Sequence, residues 1–230
     1  MFSKDFQTST ATRRWDIYGP VHKGLRLAHS RMIIRLGQAD YANCPRQLLG
    51  DLRAHLAIAA KHLHHEEAFI HAVLASAPAY LLALNEQHEQ HRSRLAGLNA
   101  AIERLEAAGP DQRPMQGRML YLAFSAFVAD DLEHMAHEET EIWPLLCALF
   151  TDEQLADLEM QIIATLTPED NIAMMRVILP AMNPAERIGL LSGMKAGAPP
   201  EAYAAVIDRA ARPALSDDAF AELQRLDLAA

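Results

Sequence analysis

One hexapeptide pattern occurs twice in this chain and limits what the chain can fold into. Residues 62–67 read His-Leu-His-His-Glu-Glu, and residues 134–139 read His-Met-Ala-His-Glu-Glu. Each copy runs on into an apolar patch, Phe69, Ile70, Val73 and Leu74 after the first and Ile142, Trp143, Leu145 and Leu146 after the second. Residues four apart on a helix share a face, one turn above the other. His62 with Glu66, and His134 with Glu138, therefore each point an imidazole and a carboxylate in one direction. A single His-x-x-x-Glu pair is ordinarily a solvated pair on a polar face. Two copies in matching apolar surroundings instead predict facing helices whose carboxylates bridge two metal ions, as in helix-bundle cores.

The rest of the pattern predicts an all-α protein. Residues 1 to about 14 are polar and are expected to form a loose arm. A first helix is predicted from Trp15 or Pro20 to Leu36, with His22, Leu25, His29, Met32 and Leu36 on one stripe. Asn43-Cys44-Pro45 breaks the chain, and a second helix runs to about Ser76. A third helix is predicted over 79–108, with Leu84, His88, His91, Leu95, Leu98 and Ile102 along its seam. Gly109-Pro110 closes it. A fourth helix is predicted from Met115 to Phe150, with a bend at Pro144.

Four long amphipathic helices with short connections imply an up-down-up-down four-helix bundle over residues 12–150. The two repeats, 72 residues apart, then lie on parallel helices. His22 and His88 come early in their helices, and the repeats come late in theirs. The antiparallel arrangement brings His22, His62, Glu66, His88, His134 and Glu138 to one level. From residue 151 to 230 the texture changes. Helix starts are marked at Thr151, Thr167, Asn183, Pro199 and Ser216. They predict five short helices without a histidine, a C-terminal appendage packed on the bundle or on another subunit in a homo-oligomer.

Composition excludes several classes. The formal net charge of -9 argues against nucleic acid or an anionic membrane as main partner. No run approaches a membrane span, and the first residues have no apolar region of a secretory signal. The two cysteines, Cys44 and Cys147, show neither metal spacing nor a disulfide framework. A reducing cytoplasm fits these features. The nitrogen and oxygen ligand set suits two first-row ions, iron above all, with manganese or zinc as substitutes, and leaves room for an oxo or hydroxo bridge. Such a centre binds O₂ or NO, or cycles electrons. Phe69, Ile70, Phe127, Met135 and Ile142 are placed to line it, or simply to fill the core.

Four segments together carry a family resemblance: Gly-Pro-Val-His22-Lys-Gly-Leu-Arg26, the two His-x-x-His-Glu-Glu helices, and Asn-Glu-Gln-His88-Glu-Gln-His91-Arg92. In their order and spacing they resemble the hemerythrin-like domain, also called the HHE cation-binding domain, of the bacterial type with a helical C-terminal extension. The resemblance implies a non-haem di-iron four-helix bundle that binds O₂, NO or iron in a sensing, storage or redox role. A di-iron oxidase, peroxidase or nitric oxide-handling enzyme is the alternative it leaves open. It also implies the ligand set His22, His62, Glu66, His88, His134 and Glu138. The chain departs from the oxygen carriers of the family, which have His-x-x-x-His on the third helix and a longer His-to-Asp spacing on the fourth. Arg92 occupies the second histidine position here. The seam spacing turns His91 inward and Arg92 to the flank, so His91 is either a fifth histidine ligand or a core histidine. His29 and His55 are expected to be buried and hydrogen-bonded, His71 to lie at the surface, and Asp130 or Asp131 to support a ligand.

Overall fold

The computed structural model describes residues 14–75 and 77–229. The predicted N-terminal arm, but for its last residue, lies outside the described residues. The described chain is helical throughout, with no β-strand. Its long helices are α1 (Gly19–Gly37), α2 (Arg46–His65), α3 (Pro78–Ala107) and α4 (Arg113–His137). Helix α1 packs against α2 and α4, and α3 packs against α2 and α4.

The cores of these helices come in two parts. Leu36, Leu52, Leu56, Leu98, Ile102 and Phe124 belong to one apolar cluster, and Tyr18, Ile70, Leu74, Leu84, Ile142 and Leu146 to another. On every long helix the histidines and glutamates of interest fall between the residues of the first cluster and those of the second. A buried polar layer is thus held between two apolar ones.

Two interruptions distinguish the structure from the expected straight helices. Each repeat enters a π-helical turn at its first glutamate, Glu66–His71 after α2 and Glu138–Ile142 after α4. The Trp143 N–H reaches back five residues to the Glu138 carbonyl. The π turn begins six residues before Pro144, where the sequence predicts a bend. Pro144 follows directly on this π turn as the second residue of α5 (Trp143–Leu149), and has no N–H to give to the preceding turn. Single π turns inside α-helices concentrate at functional sites because they re-aim side chains.

The appendage is built as its caps dictate. Thr151, Thr167 and Asn183 each close a capping box with Gln154, Asp170 and Glu186. They start α6 (Asp152–Thr165), α7 (Pro168–Ile178) and α8 (Pro184–Gly197). Helix α9 (Pro200–Val206) passes through a π turn into α10 (Arg212–Ala214), and Ser216 caps α11 (Asp217–Arg225). All five predicted starts are thus occupied. The appendage packs on the long helices of its own chain: α7 lies along α1, and α6 meets the first π turn. Gly24 makes this possible, because a Cβ there would stand 2.9 Å from a Val177 side-chain carbon and 3.0 Å from the Val177 carbonyl oxygen. Lys61 with Asp170 and Lys23 with Glu186 tie the rim of the contact.

Candidate metal centre

The six residues singled out in the sequence meet in the buried polar layer. One ligand atom from each of His22, His62, Glu66 and Glu138 lies within 4.8 Å of the others, and the same holds for Glu66, His88, His134 and Glu138. The two groups share both glutamates. Glu66 Oε1 is 3.0 Å from His62 Nε2 and 3.6 Å from His22 Nε2, while its Oε2 is 3.7 Å from His88 Nε2. Glu138 Oε2 stands 3.4 Å from both His22 Nε2 and His134 Nε2. Ligands each about 2.1 Å from one ion, at right angles, lie about 3 Å apart.

The bonding of these atoms tests whether a metal fits. The four Nε2 atoms and all four carboxylate oxygens of Glu66 and Glu138 are buried without a hydrogen-bond partner. Buried polar atoms are ordinarily paired, and eight unpaired ones in a single cluster are atoms that a bound ion could satisfy. On three of the histidines the opposite ring nitrogen is engaged. His22 Nδ1 is 3.0 Å from Glu139 Oε1, His88 Nδ1 is 3.1 Å from Glu67 Oε1, and His134 Nδ1 is 2.9 Å from Gln87 Oε1. A ring that donates from Nδ1 keeps the Nε2 lone pair free and aimed, the arrangement that holds metal-ligating histidines. These buried His and Glu groups could hold a metal ion, and the two groups of four with shared carboxylates provide two positions.

The second glutamate of each repeat, which the sequence reading passed over, supports the histidine of another helix. Both are clamped by an arginine placed four residues after the histidine they support. Arg26 pairs with Glu139 through two hydrogen bonds of 2.6 and 2.9 Å, and Arg92 pairs with Glu67. The sequence signal was present in the doubled Glu-Glu and in the matching His22/Arg26 and His88/Arg92 spacings. Arg92 is on the flank, its side chain 47% exposed, and His91 is buried at 3%, as the seam spacing indicated.

Electrostatics follow from burial and partners. Burial pushes His88 down to about 3 and His134 down to about 4, so both imidazoles are neutral and ready to ligate. Burial acts the same way on His22, but Glu138, Glu139 and Glu66 outweigh it and raise the ring well above its usual range. Burial and then the charge of Glu66 push Glu138 up to about 8, whereas Glu66, despite its burial, is held well below the carboxylate range by His62 and His22. Without an ion the pocket stores protons on His22 and Glu138 that a cation would displace. Glu139 is pushed up by burial, but His22 and Arg26 prevail and bring it down to about 2.

The remaining histidines divide. His55 Nε2 lies 2.8 Å from His29 Nδ1, and His29 Nε2 lies 2.7 Å from Asp131 Oδ2, a buried chain beneath the centre. Its far carboxylate oxygen is 3.8 Å from His91 Nδ1, and the His91 ring packs 4.8 Å from that of His134. His91 is in neither group of four. His71 is not at the surface as expected. The π turn rotates it inward to 4% exposure, with its ring 4.5 Å from His88 and Nδ1 3.1 Å from Asn85 Oδ1. Tyr18, one turn before His22, is fully buried with an unpartnered hydroxyl. Asp130 pairs outward with Arg94, so Asp131 is the inward carboxylate.

Comparison with known proteins adds no family: no family model, curated protein or solved structure matches the chain. No described helix is long and apolar enough to cross a membrane.

Proposed function

We propose that this chain is a hemerythrin-like protein: an up-down-up-down four-helix bundle holding two iron ions, with a helical C-terminal extension. His22 and His62 would hold one ion and His88 and His134 the other, with Glu66 and Glu138 available to both. The observation that carries the reading is the set of eight unpartnered buried atoms, two from each bridging glutamate and one from each histidine. An all-nitrogen-and-oxygen set with bridging carboxylates favours iron, with manganese or zinc as substitutes. Two such redox-active ions would supply binding of O₂ or NO, or one-electron exchange.

The protein's own groups prepare that chemistry. Glu139, Glu67 and Gln87 orient three imidazoles and fix which nitrogen carries the proton. The apolar layers on either side, including Ile70, Phe127 and Ile142, flank the centre. Tyr18 remains a neutral hydroxyl because burial, then the charges of Glu138 and Glu66, raise it well above its usual range. It is placed to donate a hydrogen bond into the site.

The leading role is a binder of O₂, NO or iron that acts as sensor, store or carrier. Metal analysis after anaerobic iron loading should find close to two equivalents per chain, and a value near zero would sink the centre. Cycling O₂ over the reduced protein then separates the roles. Reversible absorption bands are expected of a binder, whereas irreversible oxidation or turnover with peroxide would replace it by a di-iron redox enzyme.

A further inference from the structure

The appendage does more than cover α1. Between it and the long helices lies a cavity of about 140 Å³ that runs down to His62 and Glu66. Its inner end carries Tyr18, and its walls include Ile70 from the first π turn and Ile163, Met174 and Ile178 from α6 and α7. Of the six candidate ligands only His62 and Glu66 line it; His22, His88, His134 and Glu138 do not. The two halves of the site also differ here in sequence. Tyr18 stands four residues before His22, and the corresponding residue before His88 is Leu84.

Three observations define an occupant. The volume matches that of an apolar cavity known to hold a benzene-sized molecule, about 150 Å³. The carboxylates in the wall are Glu66 and Glu159, the latter accepting a 2.9 Å hydrogen bond from the Trp15 indole, and no lysine or arginine lines the space. Anions are therefore disfavoured. The Tyr18 hydroxyl is fully buried, unpartnered and free to donate. A buried hydroxyl without an acceptor is costly, and a ligand oxygen at that end would relieve it.

We propose that this cavity binds one neutral, predominantly apolar molecule of six or seven heavy atoms with a single oxygen at its inner end, held by Tyr18. What that oxygen meets rests on the di-iron reading, since it would lie against the ion held by His22 and His62. The appendage thereby becomes the outer wall of a ligand pocket.

Phenol is the probe, with benzene and phenyl phosphate beside it, titrated calorimetrically into the full chain with and without iron. Phenol should bind one to one in both forms and phenyl phosphate should not. Ile163→Trp, at the half-open mouth, and Met174→Trp, in the wall, should each weaken phenol at least tenfold with helicity and iron content kept. Ile163→Trp alone decides if Met174→Trp fails to fold. Tyr18→Phe should weaken phenol roughly threefold to tenfold and leave benzene unchanged. Absence of phenol binding, or binding unaltered by Ile163→Trp, overturns the pocket even where iron loads normally. Phenol binding by a chain that never takes up iron supports the pocket and removes the centre from beneath it.

Discussion

Glu139 Oε1 lies 3.0 Å from His22 Nδ1, on a residue 117 positions away in the chain. Its counterpart Glu67 makes the same contact with His88 at 3.1 Å. Each repeat thus contributes one glutamate to the centre and a second that holds a histidine of another helix. The carboxylate costs energy to bury and is retained there by an arginine, the pattern of a group that orients a metal ligand. Glu139→Ala and Glu67→Ala should each lower iron affinity about tenfold to a hundredfold, measured by competition with a chelator. Unchanged affinity in both would mean the pairs only decorate the surface.

Arg92 acts one step further out. It pairs with Glu67 and Glu89 at a half-exposed flank, where ion pairs contribute about 0–1 kcal/mol. Arg92→Ala should leave iron content unchanged and reduce affinity less than Glu67→Ala does. His91→Ala should alter the iron spectrum through the His134 ring it packs on, with iron still bound. A silent His91→Ala together with iron loss in Arg92→Ala would contradict this placement.

The ligands themselves should be separable from their buried neighbours. His62→Ala or Glu138→Ala should lose iron, while His29→Ala, whose ring is engaged by Asp131 and His55, should retain it despite lower stability. If the centre takes iron as proposed, iron that binds only the folded chain raises its stability, by about 2.7 kcal/mol at a hundredfold excess over the dissociation constant. Chelation should therefore lower the melting temperature of the wild type and have no effect on the His62→Ala variant.

Burial, and then the nearby His29, hold His55 down to about 3 in the folded protein. Its ordinary value in the unfolded chain is about 6.5. Above that value both states are neutral there and the group contributes no pH dependence. Between about 6.5 and 3 the unfolded chain binds a proton that the folded chain refuses, so stability falls as pH falls. Denaturant unfolding of the metal-free protein should show this slope, and His55→Gln should reduce it by about one proton. An identical slope in the variant would show that His55 does not titrate as its burial requires.

Gly24 sets the distance between α1 and the appendage. A Cβ there meets the Val177 backbone, which cannot swing away as a side-chain tip would. Gly24→Val should cost about 1–3 kcal/mol by overpacking and expose the segment after residue 151 to proteolysis. Protease resistance equal to wild type would show that the contact is slack.

The six candidate ligands, the five helix starts of the appendage and the outward turn of Arg92 could all be read from local patterns. Capping residues satisfy N–H groups within three positions of themselves, and the four-residue spacing of His62 and Glu66 or His134 and Glu138 is a property of any helix. Such features depend on near neighbours in the chain, and near neighbours are what a sequence displays. Tertiary structure decided the rest. The π turns at Glu66 and Glu138 depend on packing along whole helices, so the inward rotation of His71 had no local sign. Glu139 gained its role only when α1 came to lie beside the second π turn, and the cavity at Tyr18 exists only because α6 and α7 fold back over α1. The contact of Glu139 with His22 and that of α7 with α1 each join segments more than a hundred residues apart. Their energies come from burial shared between distant segments, which no stretch of sequence carries alone.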